Sequence, residues 1–142
     1  MRVFVAGGTG VIGRRLVPQL VARGHQVTAT TTSAGKLGLL EHLGAEGVVM
    51  DGLDAASVGE AVAAARPDAI VHQMTALSEA HAGKPNLRKP ERFFASTNRL
   101  RSEGTDHLLA AAEATGVTNF VAQSAAIFNG IREGGWVKTE ED

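Results

Sequence analysis

Five short apolar runs punctuate the chain: RVFVA (2–6), QVTATT (26–31), EGVVM (46–50), DAIVH (68–72) and NFVAQ (119–123). Four of them are nearly continuous in apolar residues and rich in Val and Ile, the pattern of strands covered on both faces. Longer stretches with helical spacing lie between them: GVIGRRLVPQLVARG, GKLGLLEHLG, AASVGEAVAAARP, and a segment from about Pro90 to Gly116. The last carries Phe94, Leu100, Leu108, Leu109 and Ala112, and stops at a glycine cap signal. Strands alternating with helices predict βαβ units and a parallel sheet. Five strands and four crossovers predict a doubly wound α/β fold. One local rule is broken at Pro18, two turns into the first helical pattern, where an interior proline costs about 3 kcal/mol and kinks the axis. Burial of Leu16, Val17, Leu20 and Val21 is expected to offset it.

Composition narrows the classes. A chain of 142 residues suits one domain that buries roughly 70% of its unfolded surface without staples. With no cysteine, disulfides and thiolate-metal sites are excluded, and a reducing cytoplasm fits. Fourteen basic residues against fifteen acidic ones, net −1, argue against nucleic acid or an anionic membrane as the main partner. The N-terminal apolar run is too short for a signal peptide or a span. What remains is a soluble globular chain, for which a small-molecule substrate and a homodimer partner are expectations that composition itself does not supply.

The strongest motif is AGGTGVIGRRL, directly after the first strand and opening the first helix. Gly7, Gly10 and Gly13 have the spacing G-x-x-G-x-x-G. The first permits a tight turn, the second leaves room for a pyrophosphate against the backbone, and the third lets the helix pack on the sheet. Free N–H groups around Val11 and Ile12 and the positive helix end favour phosphate there. A dinucleotide site is expected.

With that spacing, the chain resembles the short-chain dehydrogenase/reductase superfamily, and within it the extended NAD(P)-dependent epimerase/dehydratase family. The resemblance extends to VVMD, IVHQMTA, EGTDHLLAAAEATGV and NFVAQSAAIF, and so covers essentially the whole chain. It implies a Rossmann fold that stops before the later strands. It also implies that Asp51 accepts a hydrogen bond from the adenine amino group, with Gly52 and Leu53 beside the ring. The alternative for Asp51 is a turn or cap before AASVGEAV. The backbone at Gln73, Met74 and Thr75 would pass the ribose and nicotinamide, and Met74 is larger than the family's usual residue. His72 reads as a strand-end core residue.

Cofactor choice depends on the segment after the second strand. NAD-selective folds usually place an acid there for the ribose 2′-hydroxyl, whereas this chain reads TATTTSAGK. Thr32, Ser33 and Lys36, with Arg14 from the glycine motif, could instead hold a 2′-phosphate, so NADP is expected over NAD. The alternative is that Lys36 and Arg14 are solvated helix charges.

Ser124 closes the fifth strand, where the resemblance implies a catalytic serine that orients a substrate oxygen. Its usual partners, the Tyr and Lys of a Tyr-x-x-x-Lys motif, normally come on the next helix. This sequence has no tyrosine. Only residues 125–142 follow Ser124, and they read as the loop before that helix, Lys138 included. Two further departures are Arg101, where the family commonly has asparagine, and Phe128, where it commonly has tyrosine. The expected function is therefore the NADP-binding portion of a longer oxidoreductase or epimerase that moves a hydride between nicotinamide and a carbonyl or hydroxyl substrate. The competing readings are a complete, non-catalytic dinucleotide-binding or redox-sensing module, in which Ser124 is a polar strand end, and a degenerate fragment.

Overall fold

The structure is a computed structural model that describes residues 1–77 and 90–124. Phe128, Lys138 and the tail expected to form a loop lie outside the described residues. In chain order the elements are β1 (Arg2–Ala6), α1 (Gly13–Ala22), β2 (Gln26–Thr31), a 3-10 turn (Ala34–Lys36), α2 (Leu37–His42), β3 (Glu46–Val49), α3 (Ala55–Ala65), β4 (Ala69–His72), α4 (Pro90–Thr115) and β5 (Asn119–Ala122). The strands form one sheet in the order β3-β2-β1-β4-β5. Every pairing is parallel, as in Val3↔Val27 and Val3↔Ala69. This is the expected doubly wound Rossmann-type sheet. Its strand order reverses between β1 and β4, the switch point at whose carboxyl side open α/β sheets bind their ligands.

Two hydrophobic layers hold the sheet. On one face Phe4, Ala6 and Ile70 pack with Val58 and Val62 of α3 and with Leu108 and Ala112 of α4. On the other, Val3, Val5, Val27 and Ala29 meet Val17 of α1 and Leu40 of α2. Central β1 is buried on both faces, which explains its unbroken apolar sequence. The edge strands depart from that expectation. Val49 of β3 is 47% exposed and Val121 of β5 is 59% exposed, while their neighbours Val48 and Phe120 pack against the core.

Helix ends follow local chemistry. Asp54 caps α3, its Oδ1 accepting from the N–H groups of Ala56 at 2.9 Å and Ser57 at 3.4 Å. α4 stops before Gly116, whose φ of +73° suits glycine. Pro18 lies inside α1, and the helix is held regardless by fully buried Val17 and by Leu16, Leu20 and Val21 packed against the sheet.

Candidate functional site at the carboxyl edge of the sheet

Because all five strands run parallel, the candidate cofactor residues and Ser124 follow the strand ends at one edge of the sheet. Gly7, Gly10, Val11, Ile12, Gly13 and Arg14 follow β1, while Thr32, Ser33 and Lys36 follow β2. Asp51, Gly52 and Leu53 follow β3, Gln73, Met74 and Thr75 follow β4, and Ser124 follows β5.

The glycine turn is built from close backbone approaches. Gly7 has φ of +93°, and a Cβ there would stand 2.9 Å from the carbonyl group of Gln73. The end of β4 is thus pressed directly against the turn. A Cβ on Gly13 would lie 2.5 Å from the carbonyl oxygens of both Gly7 and Gly8. Gly10 differs, since a Cβ there would meet only Gly7 O at 3.4 Å, an ordinary contact. Nothing described in the fold demands glycine at position 10.

Several further features fit an anionic ligand. The α1 N-cap, Ile12, makes no side-chain cap bond, and no acid stands in the first turn. Among the described residues, the N–H groups of Val11 and Ile12 find no acceptor. Such orphan donors at a positive helix end bind phosphate. Val11 is 87% exposed and Ile12 45%, leaving apolar surface beside these donors. Gln73 Oε1, by contrast, is buried with no donor among the described residues, and as an acceptor it suits a ligand N–H or O–H and not an anion.

Two threonines missed in the sequence hold this turn. The N–H of Gly7 donates to Thr30 Oγ1 at 3.0 Å, and that of Gly8 to the Thr30 carbonyl at 2.9 Å. Thr31 Oγ1 accepts from Thr9 Oγ1 at 3.3 Å and from the Ser33 N–H at 3.2 Å. The end of β2 therefore ties the glycine turn to the loop bearing Thr32, Ser33 and Lys36, all exposed. In sequence, Thr30 and Thr31 read only as β-branched strand residues. Thr30→Val should leave the Gly7 N–H without its acceptor and destabilise the fold by about 1–3 kcal/mol. Denaturant unfolding of the variant checks this.

Arg14 is exposed, and its Nε donates to the Thr9 carbonyl at 2.9 Å, so its side chain lies along the turn. Asp51 Oδ1 accepts from the Leu53 N–H at 2.9 Å. It shapes the turn while Asp54 does the capping, and its second oxygen has no bond among the described residues. Gly52 is buried. Its carbonyl accepts from His107 Nδ1 at 3.2 Å, and a Cβ there would fall 2.5 Å from Met74 Sδ. The Met74 side chain is thus a core plug between this loop and α4, and only its backbone is left at the carboxyl edge of the sheet.

The segment after β4 is pinned on three sides. The Gln73 N–H donates to Ala6 O at 2.8 Å, that of Met74 to His72 Nδ1 at 3.1 Å, and that of Ala76 to Thr97 Oγ1 at 2.9 Å. Since His72 Nδ1 accepts, the proton sits on Nε2, which donates to Leu100 O at 3.3 Å. Burial, the largest cause, pushes the His72 pKa below its ordinary value. The Leu100 carbonyl opposes this and the Arg101 charge adds to it. His72 is a neutral structural bridge. Ser124 is exposed at the exit of β5, whose Gln123 N–H donates to His72 O at 3.2 Å.

Comparison with known proteins agrees with this geometry. A family profile described as NAD(P)H-binding matches residues 7–139. A 3-diazoavenalumate denitrifying reductase from a Streptomyces species is 48% identical over 126 residues, which cover 89% of this chain. UDP-glucose 4-epimerase from Thermotoga maritima, solved with UDP-glucose, is 28% identical with a TM-score of 0.65 over 86% of the chain. The Bordetella bronchiseptica enzyme WbmH, solved with NAD+, is 26% identical with a TM-score of 0.67 over 93%. The chain spans 38%, 37% and 41% of these three proteins' own lengths. It belongs to the NAD(P)H-binding family, and its fold is the N-terminal Rossmann part found in epimerases and reductases of the short-chain dehydrogenase type.

Proposed function

We propose that this chain is the NADP(H)-binding portion of a reductase that acts on a small carbonyl-type or similarly electrophilic substrate. The observation that carries the cofactor site is Gly10, a position where the fold tolerates a side chain and the sequence supplies none. The orphan N–H groups of Val11 and Ile12 hold the pyrophosphate. Asp51, through its uncommitted oxygen, accepts from the adenine amino group. The backbone from Gln73 to Thr75 borders the ribose and nicotinamide. Once bound, the nicotinamide supplies the hydride. Ser124 orients the substrate oxygen, and proton transfer falls to residues outside this sequence. The relative named a reductase favours reduction over epimerisation.

The preference for NADP rests on the loop after β2. No acid occurs between Val27 and Lys36, and exposed Thr32, Ser33 and Lys36 are tied to the phosphate turn through Thr31. A charge-assisted hydrogen bond contributes about 1.5–3 kcal/mol, or roughly ten- to a hundredfold in affinity. The test is a titration of NADPH and NADH followed by nicotinamide fluorescence. NADPH should bind at least about tenfold more tightly, and Lys36→Ala should erase most of that margin without weakening NADH. Equal affinities in the parent chain would overturn the NADP assignment. Failure to bind either nucleotide would overturn the cofactor site.

A further inference from the structure

Arg101 lies on α4 with its side chain directed at the exit of β5. Its Nη1 donates to the carbonyl of Gln123 at 3.2 Å, the residue immediately before Ser124. The side chain is half-buried, so its charge is partly withdrawn from water, and a guanidinium cannot shed its proton to relieve the cost. One neutral carbonyl occupies one of five N–H donors. Among the described residues no carboxylate meets the other four. Glu103, two residues on, is committed to Arg99 at 2.7 Å, and Asp51, one oxygen of which holds its own turn, forms no ion pair with Arg101. The nearby imidazole of His72 offers no compensation, because both of its nitrogens are in use and it is neutral. Among the described residues, a positive charge without a counter-charge therefore stands beside the serine assigned to the substrate.

We infer that Arg101 is a specificity-determining residue that recognises a carboxylate on the substrate. A planar guanidinium matches a carboxylate by paired N–H···O bonds, and such a ligand would supply the missing counter-charge. The Gln123 carbonyl fixes the guanidinium next to Ser124, so the carboxylate and the reacting group would be held at the same strand exit. The inference rests on the reading of Ser124 as a substrate contact, and it adds that the substrate is an organic acid.

The experiment uses the full-length protein saturated with NADPH, so that the phosphate turn is occupied and cannot capture the probe. Benzoate and benzamide, which share shape but differ in charge, are titrated against bound-cofactor fluorescence and by calorimetry. Benzoate should bind roughly ten- to a hundredfold more tightly than benzamide. Arg101→Gln should abolish that preference and leave NADPH affinity within about twofold, since Arg101 lies outside the phosphate turn. Arg101→Lys should retain part of the preference, and it serves in place of the glutamine variant if that fails to fold. A purely structural clamp on Gln123 predicts equal weakening of both probes in Arg101→Gln, which would overturn the inference. So would an absent benzoate preference in the parent protein, or one that persists in Arg101→Gln. Loss of NADPH binding in the parent protein would instead sink the cofactor assignment.

Discussion

Replacing Gly13 by alanine should damage the fold as well as the ligand site. The added methyl carbon would sit 2.5 Å from the carbonyl oxygens of Gly7 and Gly8 and 2.7 Å from the Gly8 carbonyl carbon. All three are backbone atoms, so no side-chain rotation relieves the overlap. Either α1 tilts away from the sheet or the glycine turn moves. The first option withdraws Val17, fully buried against Val3, Val5 and Val27, from its layer. The second pushes on Gly7, already in contact with Gln73, and strains the Gly10 N–H to Gly7 O bond of 3.2 Å. Overpacking of this kind costs about 1–3 kcal/mol, or roughly 3–10 °C in Tm for a chain of this size. Thermal unfolding followed by circular dichroism should show that fall, and a Tm within about 2 °C of the parent would refute the packing argument. Affinity for the nucleotide should drop with it, since the same displacement moves the N–H groups of Val11 and Ile12.

How far the sequence discloses this molecule depends on which physical signal a residue carries. Strand positions were legible because burial on both faces leaves an uninterrupted apolar run, as in VFVA of β1. The same signal misled at the edges. Val49 and Val121 are as apolar as the central residues, yet they stand exposed, because periodicity reports what a strand can bury and not what covers it. The glycine motif was legible because three positions with distinct steric demands fall at a fixed spacing. Gly8 was not, although a Cβ there would lie 2.7 Å from that of Ala29. Its constraint comes from a residue on the neighbouring strand, which no local spacing encodes. Thr30 and Thr31 escaped for a related reason. A buried threonine in a strand looks like β-branched packing, and only the tertiary register shows its hydroxyl meeting Gly7 or Thr9. For Met74 the expectation concerned its backbone beside the cofactor, and chain position gave no sign that its side chain, just past the end of β4, joins the layer formed with Leu108 and Met50.

A methyl group at Gly10 should act in the opposite sense to one at Gly13. The position is exposed, its backbone lies outside the left-handed region, and the added carbon would meet only Gly7 O, at 3.4 Å. Gly10→Ala should therefore leave the free protein as stable as before, or more stable by up to about 1 kcal/mol through the lost freedom of the unfolded chain. Affinity should move the other way. Position 10 lies next to the orphan donors of Val11 and Ile12, so a methyl there enters the space a pyrophosphate must occupy to reach them. A contact forced apart at charge-assisted hydrogen bonds loses about 1.5–3 kcal/mol, so Kd for NADPH should rise roughly ten- to a hundredfold. Paired melts and fluorescence titrations on one preparation separate the two effects. Unchanged affinity would mean that the turn does not face the phosphates, whatever the family. A lowered Tm would mean that glycine at 10 serves the fold after all. Stability held or raised while binding fails is the combination that only a ligand-imposed glycine produces.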